Sequence, residues 1–166
     1  MSEKRDTAGV IAPPPLMALA VVVIGLVLDW LLPADVLRAA LPFTARIVIG
    51  VLLMVAGGAL AFAARSHFGR VGTEVKPWRP STILVTDGVF GRLRNPMYVG
   101  MTILLIGLSI ALASDWMLVL TIVLVPVLHF GVVKREERYL TAKFGEPYRA
   151  YMARVPRYGW PPAGTT

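Results

Sequence analysis

The residues of this chain best suited to chemistry lie in two polar stretches. One is Arg94-Asn95-Pro96-Met97-Tyr98-Val99-Gly100, which closes a loop that also holds Thr82-Ile83-Leu84-Val85-Thr86, then Asp87-Gly88 and Phe90. The other is a tail that opens Lys134-Arg135-Glu136-Glu137-Arg138-Tyr139-Leu140 and passes through Phe144-Gly145-Glu146-Pro147-Tyr148 and Tyr151 to Val155-Pro156-Arg157. Taken singly, Asn95 suits a helix N-cap, Pro96 a first helical turn, Tyr98 a membrane interface and Gly100 a close packing contact. Taken together, they set a helix N-terminus, with its unpaired N–H groups and positive dipole end, beside Arg92 and Arg94. A carboxylate or phosphate would bind there. The Thr82 to Thr86 run is β-prone and ends at a turn signal, so it would offer backbone donors and acceptors to a ligand; a loop lying on a membrane is the alternative use. In the tail, helical spacing puts Glu136, Tyr139 and Leu140 on one face, although an amphipathic helix whose acids balance its bases has the same pattern. The chain has no cysteine, which excludes disulfides, thiolate metal ligands and a cysteine nucleophile, and no metal site is expected.

The elements that must position these residues are membrane-spanning. Hydrophobic residues make up 56% of the 166 positions and mean hydropathy is +0.66, more than a soluble domain of this size can bury. Four apolar stretches approach the roughly 20 residues that a helix needs to cross a bilayer: Pro15 to Leu32, Phe43 to Ala64, Pro96 to Ala113 and Trp116 to Val133. Asp29-Trp30 closes the first and reads as an interfacial end group rather than a buried functional acid. Gly50, Gly57 and Gly58 mark the second as closely packed. Ser114-Asp115 leaves room only for a tight hairpin between the third and fourth, with Gly100, Gly107 and Ala111 expected on the close face of that hairpin. Pro126 should kink the fourth and open space for a cavity. The fold expected is therefore an all-α membrane protein forming a single domain, with a loop (65–95) and a tail (134–166) of about 30 residues each, too long to serve as mere connections.

The cations set an orientation. Lys4 and Arg5 precede the first stretch, Arg65, Arg70, Lys76, Arg79, Arg92 and Arg94 separate the second from the third, and Lys134, Arg135, Arg138, Lys143, Arg149, Arg154 and Arg157 follow the fourth. Only Arg38 and Arg46 fall on the other side, so the positive-inside rule puts both termini, loop and tail in the cytoplasm. The net charge of +7 is thus accounted for by membrane topology, and no nucleic-acid partner is expected. The opening residues lack a small-residue cleavage site, so the first apolar segment is expected to be retained. The expected location is a bacterial inner membrane.

Loop and tail together resemble the membrane methyltransferase superfamily that includes isoprenylcysteine carboxyl methyltransferases and phospholipid N-methyltransferases. The anchors are Leu84-Val85-Thr86-Asp87-Gly88-Val89-Phe90, Arg94 to Gly100, Glu136-Glu137, and Phe144-Gly145-Glu146-Pro147-Tyr148 with Tyr151 and Val155-Pro156-Arg157, spanning roughly Phe68 to Trp160. The resemblance implies S-adenosylmethionine held at the ends of the last two helices and enclosed by loop and tail. The implied contacts are Thr82, Ile83, Leu84, Val85, Phe90, Asn95, Pro96, Met97, Tyr98 and Glu136. Apolar and aromatic walls from the first five suit an adenine ring. Asn95, Tyr98 and the helix N-terminus suit the methionine carboxylate, and Glu136 suits a ribose hydroxyl or a cationic group. The acceptor would be a lipophilic molecule in the membrane: an isoprenylcysteine-like carboxylate, a thiol or a phospholipid amine. Isoprenylcysteine enzymes usually carry His where this chain has Asn95, an Asn common among bacterial-looking relatives, and a substrate-binding Arg where it has Val132; the loss of that Arg weakens the carboxylate case. His129, one turn earlier, is the candidate for a polar group of the substrate. Methyl transfer to a carboxylate or thiolate demands no acid or base, so no catalytic residue is assigned. The competing readings are an NADPH-dependent membrane reductase resembling sterol reductases, and a non-catalytic membrane protein.

Overall fold

The computed structural model describes residues 7–71 and 83–159, so Thr82 of the expected site lies outside the described residues. Seven α-helices follow in order: α1 (Pro14–Leu31), α2 (Val36–Ala40), α3 (Phe43–Val71), α4 (Pro96–Leu112), α5 (Asp115–Leu128), α6 (Lys134–Phe144) and α7 (Glu146–Arg154). A 3-10 turn, Gly88–Gly91, precedes α4, and a π-helical turn, His129–Val133, joins α5 to α6. Among the described residues there is no strand, and Leu84 to Thr86 have no regular structure despite their β propensity. Among the described residues they have no second strand to pair with, and Leu84 and Val85 are used for packing.

Among the described residues three helices are long and apolar enough to cross a membrane, α1, α3 and the continuous run from α5 into α6; α4 is apolar and one residue shorter than the least of these. Large side chains such as Leu16, Val23, Phe62 and Ile122 lie more than half exposed on their outer faces. With no water-driven reason to be outside, these faces belong against lipid, and the chain is an all-α integral membrane protein. The 29 residues of α3 reach about 44 Å, beyond a core of about 30 Å, so its last turns project with Phe68 beside the polar loop.

Glycine permits the closest contact in the bundle, and it joins α3 to α4. A Cβ on Gly57 would lie 2.5 Å from the Gly100 carbonyl oxygen, and one on Gly107 would lie 2.7 Å from that of Gly50. Ala111 completes this stripe against Gly50. The expectation that Gly100, Gly107 and Ala111 line the α4–α5 hairpin is therefore corrected: they face α3. The seven-residue spacing Gly50/Gly57 matches Gly100/Gly107, so only this pairing lets both backbones approach at two levels. The hairpin instead turns through Ala113, at positive φ, and Ser114, whose hydroxyl accepts from Met117 N.

Helix α1 packs on α5 at Gly25 against Met117, and Val21, Leu105, Met117, Leu124, Leu128 and Val132 form the core beneath the site. At the opposite end of the bundle, Asp29 accepts from the Ser114 hydroxyl and from Trp116 N at 3.2 Å, so it pins α1 to the hairpin as a structural end group. Asp115 accepts from Val36 N and Leu37 N, both at 2.9 Å, and supplies the N-terminal cap that α2 lacks from its own sequence.

The wide turn at His129–Val133 begins three residues after Pro126, whose ring cannot donate to the helical ladder. Its Gly131 carbonyl accepts from Ile11 N at 3.2 Å. Ile11 fills the space that a Cβ on Gly131 would occupy. Arg135 donates to the Gly9 carbonyl at 2.7 Å and Val10 packs on the core, so residues 9–11 form a strap across the start of α6.

Candidate active site

One cavity of about 120 Å³, partly open to solvent, lies where loop, α4 and tail converge. Ile83, Leu84, Val85 and Phe90 come from the loop, Asn95, Pro96, Met97 and Tyr98 from the start of α4, and Glu136 from α6. These are all the described members of the expected cofactor set. Nothing in their sequence separation requires them to meet; α4 and the long fifth helix carry two of the three segments to the same end of the bundle. The loop is held by packing: Val85 and Phe90 are buried against Ala64 of α3, and the Phe90 ring meets Phe68 edge-on at 4.7 Å. The Asp87-Gly88 signal becomes the 3-10 turn, with Gly88 at φ +57° and the Asp87 carboxylate 2.8 Å from His67 Nε2, a bond that lowers the acid's pKa.

Two adjacent glutamates in α6 have different partners. Glu136 accepts from the Tyr98 hydroxyl at 2.7 Å, across the cavity wall between α6 and α4. Burial pushes its carboxyl up to about 7. A carboxylate so placed is short of positive charge and is an acceptor for a cationic group. Glu137 instead accepts from Arg94 at 2.7 Å and from both Nε and Nη2 of Arg157, at 2.8 and 2.7 Å. Its charge raises the Arg157 pKa, chiefly through these hydrogen bonds. The network ties loop, α6 and tail together, and the sequence reading gave Glu137 and Arg157 no role. Only the motif membership of both hinted at one.

Asn95 also differs from expectation. Its side chain makes no N-cap bond; Nδ2 donates to the Arg157 carbonyl at 3.2 Å, while Arg94 N donates to that of Pro156 at 2.9 Å. The tail thus takes the place of a local cap, and Pro96, lacking an N–H, leaves one donor fewer to satisfy. Tyr98, read as a donor to an anion, gives its proton to Glu136. Arg94 borders the cavity, with Nη1 held by Glu137 and Nε buried without a partner among the described residues.

Other walls that the sequence reading missed are Phe68, Tyr148, Tyr151 and Ala8 of the N-terminal segment. Tyr151 donates to the Phe90 carbonyl at 2.7 Å and so fastens α7 over the loop. Burial raises both tyrosines, Tyr148 to about 12. Their position after Gly145, which at φ +61° turns α6 into α7, could have been found from the Gly-x-Pro-Tyr spacing alone.

His129 lies apart from this cavity. Its Nδ1 is 2.8 Å from the Tyr158 hydroxyl, and its ring meets Phe130 edge-on. Tyr158 borders a second cavity with Tyr98, Val99, Thr102, Ile103, Val125, Leu128 and Val133, almost wholly apolar and set between α4 and α5 next to Pro126. Tyr98 is the wall that the two cavities share.

An all-helical membrane bundle with one cavity where loop, α4 and tail meet, abutting a second between α4 and α5 at Tyr98, defines an integral membrane protein with a candidate binding site at one end of its bundle. The chain belongs to the phospholipid methyltransferase family, whose family model it matches over residues 45–147. It is 32% identical over 74 residues to Protein-S-isoprenylcysteine O-methyltransferase of Schizosaccharomyces pombe, a match covering 45% of this chain and 31% of the relative's length. No solved structure matches.

Proposed function

We propose that the chain transfers a methyl group from S-adenosylmethionine to a lipophilic acceptor that enters from the bilayer, with loop, tail and both termini on the cytoplasmic face of a bacterial inner membrane. The observation that carries this reading is the convergence of Ile83–Val85, Phe90, Asn95–Tyr98 and Glu136 on one cavity. Its chemistry fits the cofactor. Leu84, Val85 and Phe90 offer an apolar slot for a purine, the Arg94 guanidinium at the cavity wall a positive partner for a carboxylate, and Glu136 a counter-charge for an ammonium or sulfonium. When bound, S-adenosylmethionine supplies an electrophilic methyl group on a positively charged sulfur.

The chain's own task is then alignment and exclusion of water. The Tyr98–Glu136 bond fixes the wall between the two cavities, and α7 with Tyr148 and Tyr151 covers the polar one. The apolar cavity between α4 and α5 accommodates an acyl or prenyl chain and leads its reactive end toward Tyr98. The test is calorimetric titration of detergent-purified protein with S-adenosylmethionine, with NADPH and Glu136→Ala protein alongside. Saturable binding by wild type that the variant loses is the expected result. Binding of NADPH instead would sustain the reductase reading, and binding of neither by folded protein would end the cofactor assignment.

A further inference from the structure

We propose that Tyr158 and His129 form a proton-accepting couple on the acceptor side of the site, which suits it to a nucleophile that arrives carrying a proton, a lipid-borne amine or thiol, rather than a carboxylate. The proposal rests on the methyl-transfer reading and adds the residues that would handle the proton. It follows from the polar groups around the apolar cavity. Of the side chains among the described residues that border it, only Tyr98, Thr102 and Tyr158 carry a polar atom. The Thr102 hydroxyl donates to the Tyr98 carbonyl at 2.9 Å, and the Tyr98 hydroxyl donates to Glu136. Both protons are therefore committed within the protein. Tyr158 alone is bonded to an imidazole, with His129 Nδ1 at 2.8 Å, and that ring is partly exposed.

A tyrosine so placed passes a proton on without ever holding a lasting charge. The lone pair of the acceptor nitrogen or sulfur forms the new bond to the methyl carbon as the donor C–S bond breaks, its electron pair returning to sulfur. The methylated acceptor is left with one proton too many. That proton moves to the Tyr158 oxygen as the tyrosine's own proton moves to His129 Nδ1, and the imidazolium releases it to water. The charged and titratable groups facing this couple are Lys134 on α6, Arg157 beside Tyr158, and Glu137, with Arg94 and Glu136 further round Tyr158. A carboxylate acceptor would bring no proton and would leave the couple without a task.

The experiment uses the full chain in liposomes with Tyr158→Phe and His129→Gln variants, and dodecylamine, dodecanethiol and dodecanoate as acceptor probes. Both variants are expected to bind S-adenosylmethionine within twofold of wild type by calorimetry. Methylation of the amine or thiol should fall about a hundredfold, as removal of a positioned base does. The alkaline-rising limb of the wild-type pH–rate profile should vanish in His129→Gln. Independently of turnover, the His129 imidazole titration, followed by nitrogen-labelled histidine NMR, should shift in Tyr158→Phe. Unchanged amine and thiol rates in both variants, or methylation of dodecanoate alone, would overturn the proposal. So would an imidazole titration that Tyr158→Phe does not move. Failure of wild type to bind S-adenosylmethionine removes the underlying reading and this one with it, whereas binding with intact variant rates removes only this one.

Discussion

Glu136 and Glu137 are adjacent and chemically identical, yet the same substitution at each should act on stability with opposite sign. In Glu137→Gln, Arg94 and Arg157 lose the carboxylate that both engage. Breaking a buried pair from one side costs about 3–5 kcal/mol. Arg157 is 32% exposed and can be rehydrated, while Arg94 at 9% cannot, which puts the loss near the low end, about 3 kcal/mol. For a chain of this length that is a fall in Tm of roughly 6–12 °C. Glu136 is the reverse case. Its pKa rises from 4.5 to about 7 on folding, so the folded state holds the proton more tightly and stability declines as pH rises from 4.5 to 7. Each unit corresponds to about 1.4 kcal/mol, and the water-facing cavity screens part of it, leaving a cost on the order of 1–2 kcal/mol above pH 7. Glu136→Gln removes that cost and keeps an acceptor for Tyr98. Thermal unfolding in mild detergent at pH 4, 6 and 8 should therefore give a Glu136→Gln Tm equal to wild type at pH 4 and a few degrees above it at pH 8, with cofactor binding lost. An equal fall in Tm for both variants at pH 8 would refute the division of labour between the two acids.

S-adenosylmethionine affinity should weaken as pH falls below about 7, by up to about tenfold per unit, because a cationic ligand needs Glu136 ionised; calorimetry in buffers of different ionisation enthalpy reads the proton released. Gly100→Ala puts a Cβ 2.6 Å from the Gly57 carbonyl oxygen, about 0.8 Å inside the 3.4 Å of ordinary contact, and should cost about 1–3 kcal/mol by forcing α3 and α4 apart. Reduced cofactor affinity should accompany it, since Tyr98 lies within the same turn. Tyr151→Phe should remove one buried hydrogen bond to Phe90, cost about 1 kcal/mol, and leave the bundle intact by circular dichroism. Gly131→Ala should displace Ile11 and expose residues 7–13 to limited proteolysis, and pairing it with Ile11→Ala should restore protection.

The membrane elements were legible because apolar length is nearly sufficient to define them: the first and third predicted stretches match α1 and α4 to within a residue at each end, while α3 overruns its stretch into Arg65 to Val71 and the fourth stretch runs past α5 through the π-turn, the helix continuing into α6. Pairing was less legible. Glycine at seven-residue spacing says that a helix packs closely and does not say on which neighbour, so the stripe of α4 was assigned to α5 when it belongs to α3. In the site, residue types pointed to one cavity, but their bonds did not. Asn95 looks like a cap in any local window, and only the arrival of the Arg157 carbonyl, 62 positions later in the chain, redirects it. Glu136 and Glu137 read alike for the same reason, since which of two neighbours faces an arginine depends on helix phase.

That phase is set upstream. A π-turn amounts to one residue inserted into an α-helix. Deleting one residue between His129 and Val133 would let α5 run into α6 as regular helix and rotate all that follows by about 100°. Position for position, Glu137 would then face Tyr98, and Arg138 would face the two arginines that Glu137 now neutralises. The bulge is therefore a reading-frame device for side chains: with it, the pair of acids is shared out between cavity and scaffold, and without it the same sequence would set three cations against one another.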